Sequence, residues 1–106
     1  MTVNDVANGQ LSVETGFELL ANPHRRVILL HLSGGDGSSA TLADLAAELH
    51  AQLDDVESTE QAQIGLVHHH LPKLADFGLI EYDRQREHVR YHVDDRIELL
   101  LEYLEY

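Results

Sequence analysis

Three consecutive histidines, His68, His69 and His70, precede a proline in the stretch VHHHLPKLADFGLIEYD, residues 67–83. Imidazole can ligate a transition metal, move protons near neutral pH, or hydrogen-bond to phosphates and base edges, so spacing has to decide between these chemistries. Two histidines on one helix share an ion best when four residues apart, whereas consecutive residues project about 100° from one another. The trio therefore cannot converge on one ion by itself, although His88 and His92 offer further ring nitrogens, and no metal is expected. His70, beside Leu71 and one turn before Leu74, suits a half-buried structural position. His68 and His69 suit an exposed one.

Catalytic patterns do not emerge elsewhere. The chain has no Gly-rich phosphate loop, no GxSxG, and no carboxylate pair that sequence can place at a shared site. Neither an enzyme nor a cofactor is expected, and no small-molecule ligand is evident. With zero cysteines, disulfides, thiolate zinc sites and thiol redox switches are excluded.

The remaining polar residues suit a nucleic-acid duplex. Thr59, Gln61, Gln63 and His69 are candidates for base edges, since glutamine pairs with adenine through two hydrogen bonds, and His68 joins them as a donor or acceptor. Lys73, Arg84, Arg86 and Arg90 suit phosphates. A solvated polar face accounts for the first group equally well, and ion pairs with Asp83 and Glu87 account for the second. Arg25 and Arg26 follow Pro23 at a helix start, where positive charge opposes the dipole, so a salt bridge to Glu14 or Glu18 is expected in preference to a phosphate.

Charge complicates this reading. The chain of 106 residues carries 19 acidic and 7 basic residues, a net charge of -12, which should repel DNA and anionic membranes. Lys73 is its one lysine. An acid-rich, lysine-poor, cysteine-free composition is like that of proteins from salt-accumulating archaea, and at molar salt the screening length shrinks to about 3 Å. The distribution matters more than the sum, because Thr59 to His92 has a formal balance of only -1. The other segments are the ones unsuited to a polyanion.

The elements that must position these residues follow from period and caps. Residues 1–13 lack periodicity and read as a flexible arm. From Glu14 a first helix places Phe17, Leu20 and Ala21 on one face and stops near Asn22 before Pro23. Pro23 opens a second helix, with Val27, Leu30 and His31 on one side and Ile28 and Leu32 close by, ended by Gly34 and Gly35. Thr41 with Asp44 caps a third, whose buried stripe is Leu42, Leu45, Ala46 and Leu49.

Ser58 with Gln61 caps a fourth helix, in which Ile64, Val67, Leu71 and Leu74 face the core and which Gly78 terminates. The period then changes to two, predicting a hairpin with Ile80 and Tyr82 on one arm, Val89, Tyr91 and Val93 on the other, and a polar turn from Arg84 to Glu87. Asp94 and Asp95 begin a final helix with the stripe Ile97, Leu100, Leu101 and Leu104, widened by Leu99, Tyr103 and Tyr106. So broad a stripe invites a second chain.

This order predicts a mainly α fold with a β-hairpin wing: a winged helix-turn-helix at 14–93 and an added dimerisation helix at 94–106. The segments FELLANPHRRVILLHL, TLADLAAEL and HHHLPKLADFGLIEYD resemble, in order and spacing, the ArsR-like winged-helix domains of haloarchaea. They are most similar to a haloarchaeal family with HLPKL before a glycine corner and no assigned function. The resemblance covers about Glu14 to Val93 and implies a homodimer that docks the helix around Thr59 to Asp76 in a major groove and lays the hairpin along the backbone. The chain departs from that pattern at Pro72, inside the supposed recognition helix, and in having no cysteine where metal-sensing members carry theirs.

Pro72 lacks the N–H that would bond to the His68 carbonyl, so Thr59 to His69 becomes the reading half and the remainder is structural. Dimerisation is expected through Phe17 and Leu20 of the first helix and Ile97, Leu100, Leu101 and Leu104 of the last. The function expected is a cytoplasmic transcriptional regulator that binds double-stranded DNA as a homodimer. No run approaches the roughly 20 apolar residues needed to span a bilayer, and the first residues do not resemble a signal peptide. The rival expectation is a protein–protein interaction module on the same fold that does not bind DNA.

Overall fold

The computed structural model describes residues 11–33 and 38–104. Helices α1 (Val13–Leu20) and α2 (Pro23–Leu32) are followed by strand β1 (Ser39–Thr41) and helix α3 (Leu42–Gln52). Helix α4 (Thr59–Gly65) runs through a π-helical turn (Leu66–His70) into α5 (Leu71–Asp76). Strands β2 (Ile80–Asp83) and β3 (His88–Tyr91) and helix α6 (Asp95–Leu104) complete the chain. The result is mainly helical with a small three-stranded antiparallel sheet ordered β1-β3-β2, an arrangement compatible with a winged helix-turn-helix.

Every helix except α5, which continues from the π turn, starts where a short polar side chain can serve amides that have no intrahelical acceptor. Ser12 Oγ accepts from the Thr15 amide at 3.1 Å, and Asn22 Oδ1 accepts from the His24 and Arg25 amides at 2.8 and 3.2 Å. Thr41 and Ser58 accept from Asp44 and Gln61 at 3.0 Å each, as their spacing predicts. Asp94, 6% exposed, accepts through Oδ1 from Arg96 and Ile97 and through Oδ2 from Leu11. That last bond, with Leu11 only 2% exposed, corrects the expected arm: the structured chain begins by residue 11, and residues 1–10 lie outside the described residues.

The fourth helix departs from its predicted face. Ile64 is 62% exposed and Val67 half-buried, while Ala62, Leu66, Leu71 and Leu74 are buried. The cause is the π turn, in which the Leu71 amide donates to the Leu66 carbonyl five residues back. One extra residue in that turn advances the register, so a face followed back from Leu71 and Leu74 in steps of three and four arrives at the wrong side. Pro72 sits directly after the widened turn, where its ring would otherwise collide with the His68 carbonyl. The helix absorbs its proline by unwinding a turn rather than by breaking.

Two other faces were misassigned. In α1 the buried residues are Gly16, Leu19 and Leu20, and Phe17 is 45% exposed; in α2 they are Ile28, Leu29 and Leu32, with His31 exposed. Gly16 lets α6 approach closely, because a Cβ there would stand 2.7 Å from Leu100 Cδ1. At the C-terminus of α5 the Leu79 amide donates to Leu74 O and the Gly78 amide to Ala75 O. With Gly78 at φ 77, this is the left-handed stop expected of a glycine after a helix.

Strand β1 is absent from the sequence-based expectation, since three residues with one inward side chain, Ala40, carry no readable alternation. Ala40 and Tyr82 flank Val89 in register, and Ile80 pairs with Tyr91. Val93 falls beyond β3 and is 40% exposed. The Tyr91 hydroxyl donates to Glu98 Oε2 at 2.5 Å, fastening the sheet to α6, and burial followed by that carboxylate pushes the phenol up.

In the hairpin turn Asp83 Oδ1 accepts from the Gln85 and Arg86 amides at 3.1 and 3.2 Å, and Glu87 takes φ 51. A side chain in that left-handed conformation costs about 1–2 kcal/mol, part of which glycine returns through the greater entropy of its unfolded chain. Glu87→Gly is therefore expected to stabilise the protein by up to about 1 kcal/mol, measured as a rise in urea midpoint.

Candidate functional site

The π turn and α5, which continue α4, adjoin the hairpin. Thr59, Gln61, His68, His69 and Lys73 are exposed and Gln63 is half-buried along the helix; Arg84, Arg86 and Arg90 are exposed on the hairpin. Val67, Leu71, Pro72 and Ala75 from the helix and Tyr82 and Arg84 from the hairpin line a shared recess of about 230 Å3, so Arg84 stands beside the widened turn. A second recess of about 380 Å3 holds Arg86 and Arg90 with Glu81, Asp83 and His88. Of the nine residues singled out from sequence for nucleic acid, eight are exposed and Gln63 is half-buried; the first recess brings Arg84 to the π turn, Gln61 lies instead beside His24 and Asp55, and Arg90 projects from the sheet face away from Val89 and Tyr91.

Their local partners differ. Arg86 Nε lies 3.9 Å from Asp83 Oδ2 with 85% of its side chain exposed, a contact of little energy. Arg84, Arg90 and Lys73 make no ion pair among the described residues, although Arg90 stands opposite Glu81 in register and Lys73 lies 5.8 Å above the Phe77 ring. Gln61 is partly committed, because its Oε1 accepts from the Glu57 amide at 2.6 Å. One of the two lone pairs of that oxygen is thereby occupied, whereas the Gln63 amide makes no side-chain hydrogen bond among the described residues.

Arg25 and Arg26 belong elsewhere. Arg25 Nε and Nη2 donate to the Leu19 and Glu18 carbonyls at 2.8 and 3.2 Å, and Arg26 Nη1 to the Leu20 carbonyl at 2.8 Å. The expected carboxylate partners are replaced by the last carbonyls of α1, which need donors and form the negative end of its dipole.

The histidines do not assemble. His92 Nε2 is 3.1 Å from Glu81 Oε2, whereas His70 stacks on His24 with ring centroids 5.0 Å apart and planes at 11°. Rings so nearly parallel cannot both direct in-plane lone pairs at one ion. Among the described residues no group of three or more His, Cys, Asp or Glu is placed to hold a metal. His70 is half-buried, its Nδ1 buried and without a hydrogen-bond partner among the described residues, and it shares a cavity of about 160 Å3 with His24, Asp55, Gln61 and Gly65. His24 lies 3.8 Å from Asp55.

Burial first, then the charges of His24, Arg25 and His69, pushes His70 down to about 4. An unfolded chain protonates the same ring near about 6.5, so between these values the unfolded state binds the extra proton and stability falls as pH falls. Above the upper value the ring is neutral in both states and contributes nothing. Lowering the pH from 7 to 5 is expected to cost about 1 kcal/mol, after discounting for the ring's partial exposure. His70→Phe should remove most of that difference in urea midpoint.

Helices α1 and α6 border an open apolar groove of about 780 Å3 lined by Val13, Phe17, Leu99, Leu100 and Tyr103 together with Arg96 and Glu102. Of the six residues expected to dimerise, Leu20, Ile97 and Leu101 are 0–3% exposed and fill the chain's own core, which corrects their assignment. Leu100 is 8% exposed; Phe17 and Leu104 remain open at 45% and 40%, joined by Leu99 and Tyr103 at 66% and 71%. A residue buried between α1 and α6 of one chain is not free to meet another.

Sequence reasoning also missed two features of the site. Ile64 was assigned to the core, and only the HHHLP stretch hints at the irregular turn that exposes it. The pairing of His24 with His70 across three helices left no local signal at all.

Residues 17–90 match the model of a family described as Domain of unknown function (DUF7344). No curated protein and no solved structure matches the chain significantly.

Proposed function

We propose that this chain, which belongs to the DUF7344 family, is a DNA-binding transcriptional regulator of winged helix-turn-helix architecture, built on the ArsR-like plan and working as a homodimer in a salt-accumulating archaeon's cytoplasm. In this reading α3 and α4 are the turn pair, the half from Thr59 to His69 enters a major groove, and the hairpin is the wing along the phosphates. One observation supports it: residues 59–92, which supply the helix and the hairpin, carry a formal charge of -1 in a chain of -12, with Arg84, Arg90 and Lys73 exposed and not paired to carboxylates among the described residues. Ionic screening of about 3 Å at molar salt removes the long-range repulsion and leaves contact chemistry to decide.

The groove between α1 and α6 would take a second copy, so that two reading helices face successive half-sites. No described helix is long and apolar enough to cross a membrane. A second reading rests on the same acidity and on the absence of any arginine or lysine between Thr59 and His70: a winged-helix module that recruits a protein partner and leaves DNA alone. Selection of bound fragments from genomic duplex in molar KCl, followed by a mobility shift with an inverted repeat, separates the two. Enrichment of one repeat supports the regulator, and retention of no duplex at any salt supports the interaction module.

A further inference from the structure

Resting on the DNA-binding reading, we infer that Ile64 is a specificity residue that packs against the 5-methyl group of a thymine. The π turn sorts the aliphatic side chains of α4 and its continuation by exposure, with Val67 half-buried between the extremes. Ala62, Leu66, Leu71 and Leu74 are buried, and Ile64 stands out at 62% exposure. Its spacing to Leu71 would put the two on a shared face of a regular α-helix, and the π turn between them separates it from that face.

Its neighbours are what a base edge requires. Gln63 precedes it, half-buried with no side-chain partner other than solvent among the described residues, and exposed His68 follows four positions later. An A·T pair presents in the major groove an acceptor and a donor on adenine, and on thymine an acceptor beside a methyl group, which is the one apolar feature of that groove. A lone branched aliphatic between an amide and an imidazole complements that pattern. A phosphate-facing position would gain nothing from it.

The test replaces thymine by uracil, which deletes the methyl and keeps every hydrogen-bonding atom. Duplex selected by the wild-type protein is re-synthesised with uracil at each thymine in turn, and affinities are measured for the wild type, Ile64→Val and Ile64→Ala at one high salt concentration. The expected result is one position in each half-site at which uracil weakens wild-type binding about fourfold, the worth of one buried methyl. Ile64→Val should keep most of that penalty, and Ile64→Ala should bind thymine and uracil duplexes alike. Exposure of the side chain keeps all three proteins folded, which their urea midpoints verify.

If uracil is tolerated at every position, or Ile64→Ala keeps the full penalty, the assignment of Ile64 is overturned while DNA binding stands. If the wild type retains no duplex at any salt, the DNA-binding reading itself fails and this assignment falls with it.

Discussion

Leu66→Ala should destabilise the protein by about 2–5 kcal/mol, whereas Ile64→Ala, two residues earlier on the same helix, should change stability by less than about 0.5 kcal/mol. Leu66 has no exposed surface, and its carbonyl accepts the bond that closes the π turn. Removing its side chain leaves a void between α4 and the rest of the core, and a close-packed interior relaxes only partly around such a gap. Ile64 leaves no void because solvent already covers it. Urea denaturation of both variants in high salt measures the difference, and equal destabilisation would mean that the helix is regular and Ile64 buried after all.

The second large effect concerns the hairpin. Arg84→Ala combined with Arg86→Ala should weaken binding to every duplex alike and make the dependence of log affinity on log salt shallower by about 0.9 for each phosphate lost, about 1.8 per protomer and about 3.6 for the bound dimer. Both side chains are exposed, and among the described residues their one ion pair is the loose contact of Arg86 with Asp83 of the same hairpin. Stability should therefore stay within about 0.5 kcal/mol of wild type, so any loss of binding is a loss of contacts. Gln63→Ala should behave differently, relaxing preference at one base pair by about 1–3 kcal/mol with the salt slope unchanged. A double arginine variant that binds as tightly as wild type would remove the hairpin from the interface.

Apart from the three-residue β1, element order was legible because starts and stops are local chemistry. Thr41, Ser58 and Gly78 each announce themselves within four residues, and each does in the structure what its type predicts. Which way a helix faces is a longer-range property. It was legible for α3, whose regular period from Leu42 to Leu49 matches its buried residues, and failed for α4 because one added residue at the π turn breaks the phase on which every such inference depends.

The site was partly legible for the same reason. Exposed arginines on a hairpin follow from alternation, so Arg84, Arg86 and Arg90 lie where expected. Arg25 and Arg26 did not, because a carboxylate partner suggests itself from sequence while a carbonyl left over by a neighbouring helix is visible only once the two helices are placed.

Those two guanidiniums give the corner between α1 and α2 an indifference to brine. A bridge to Glu14 or Glu18 would weaken as the ion atmosphere thickens, but short bonds to main-chain oxygens at 2.8 Å lie inside even the tightest ion cloud. The hinge that sets the first two helices at their angle is thereby built from contacts that a change of salinity leaves alone.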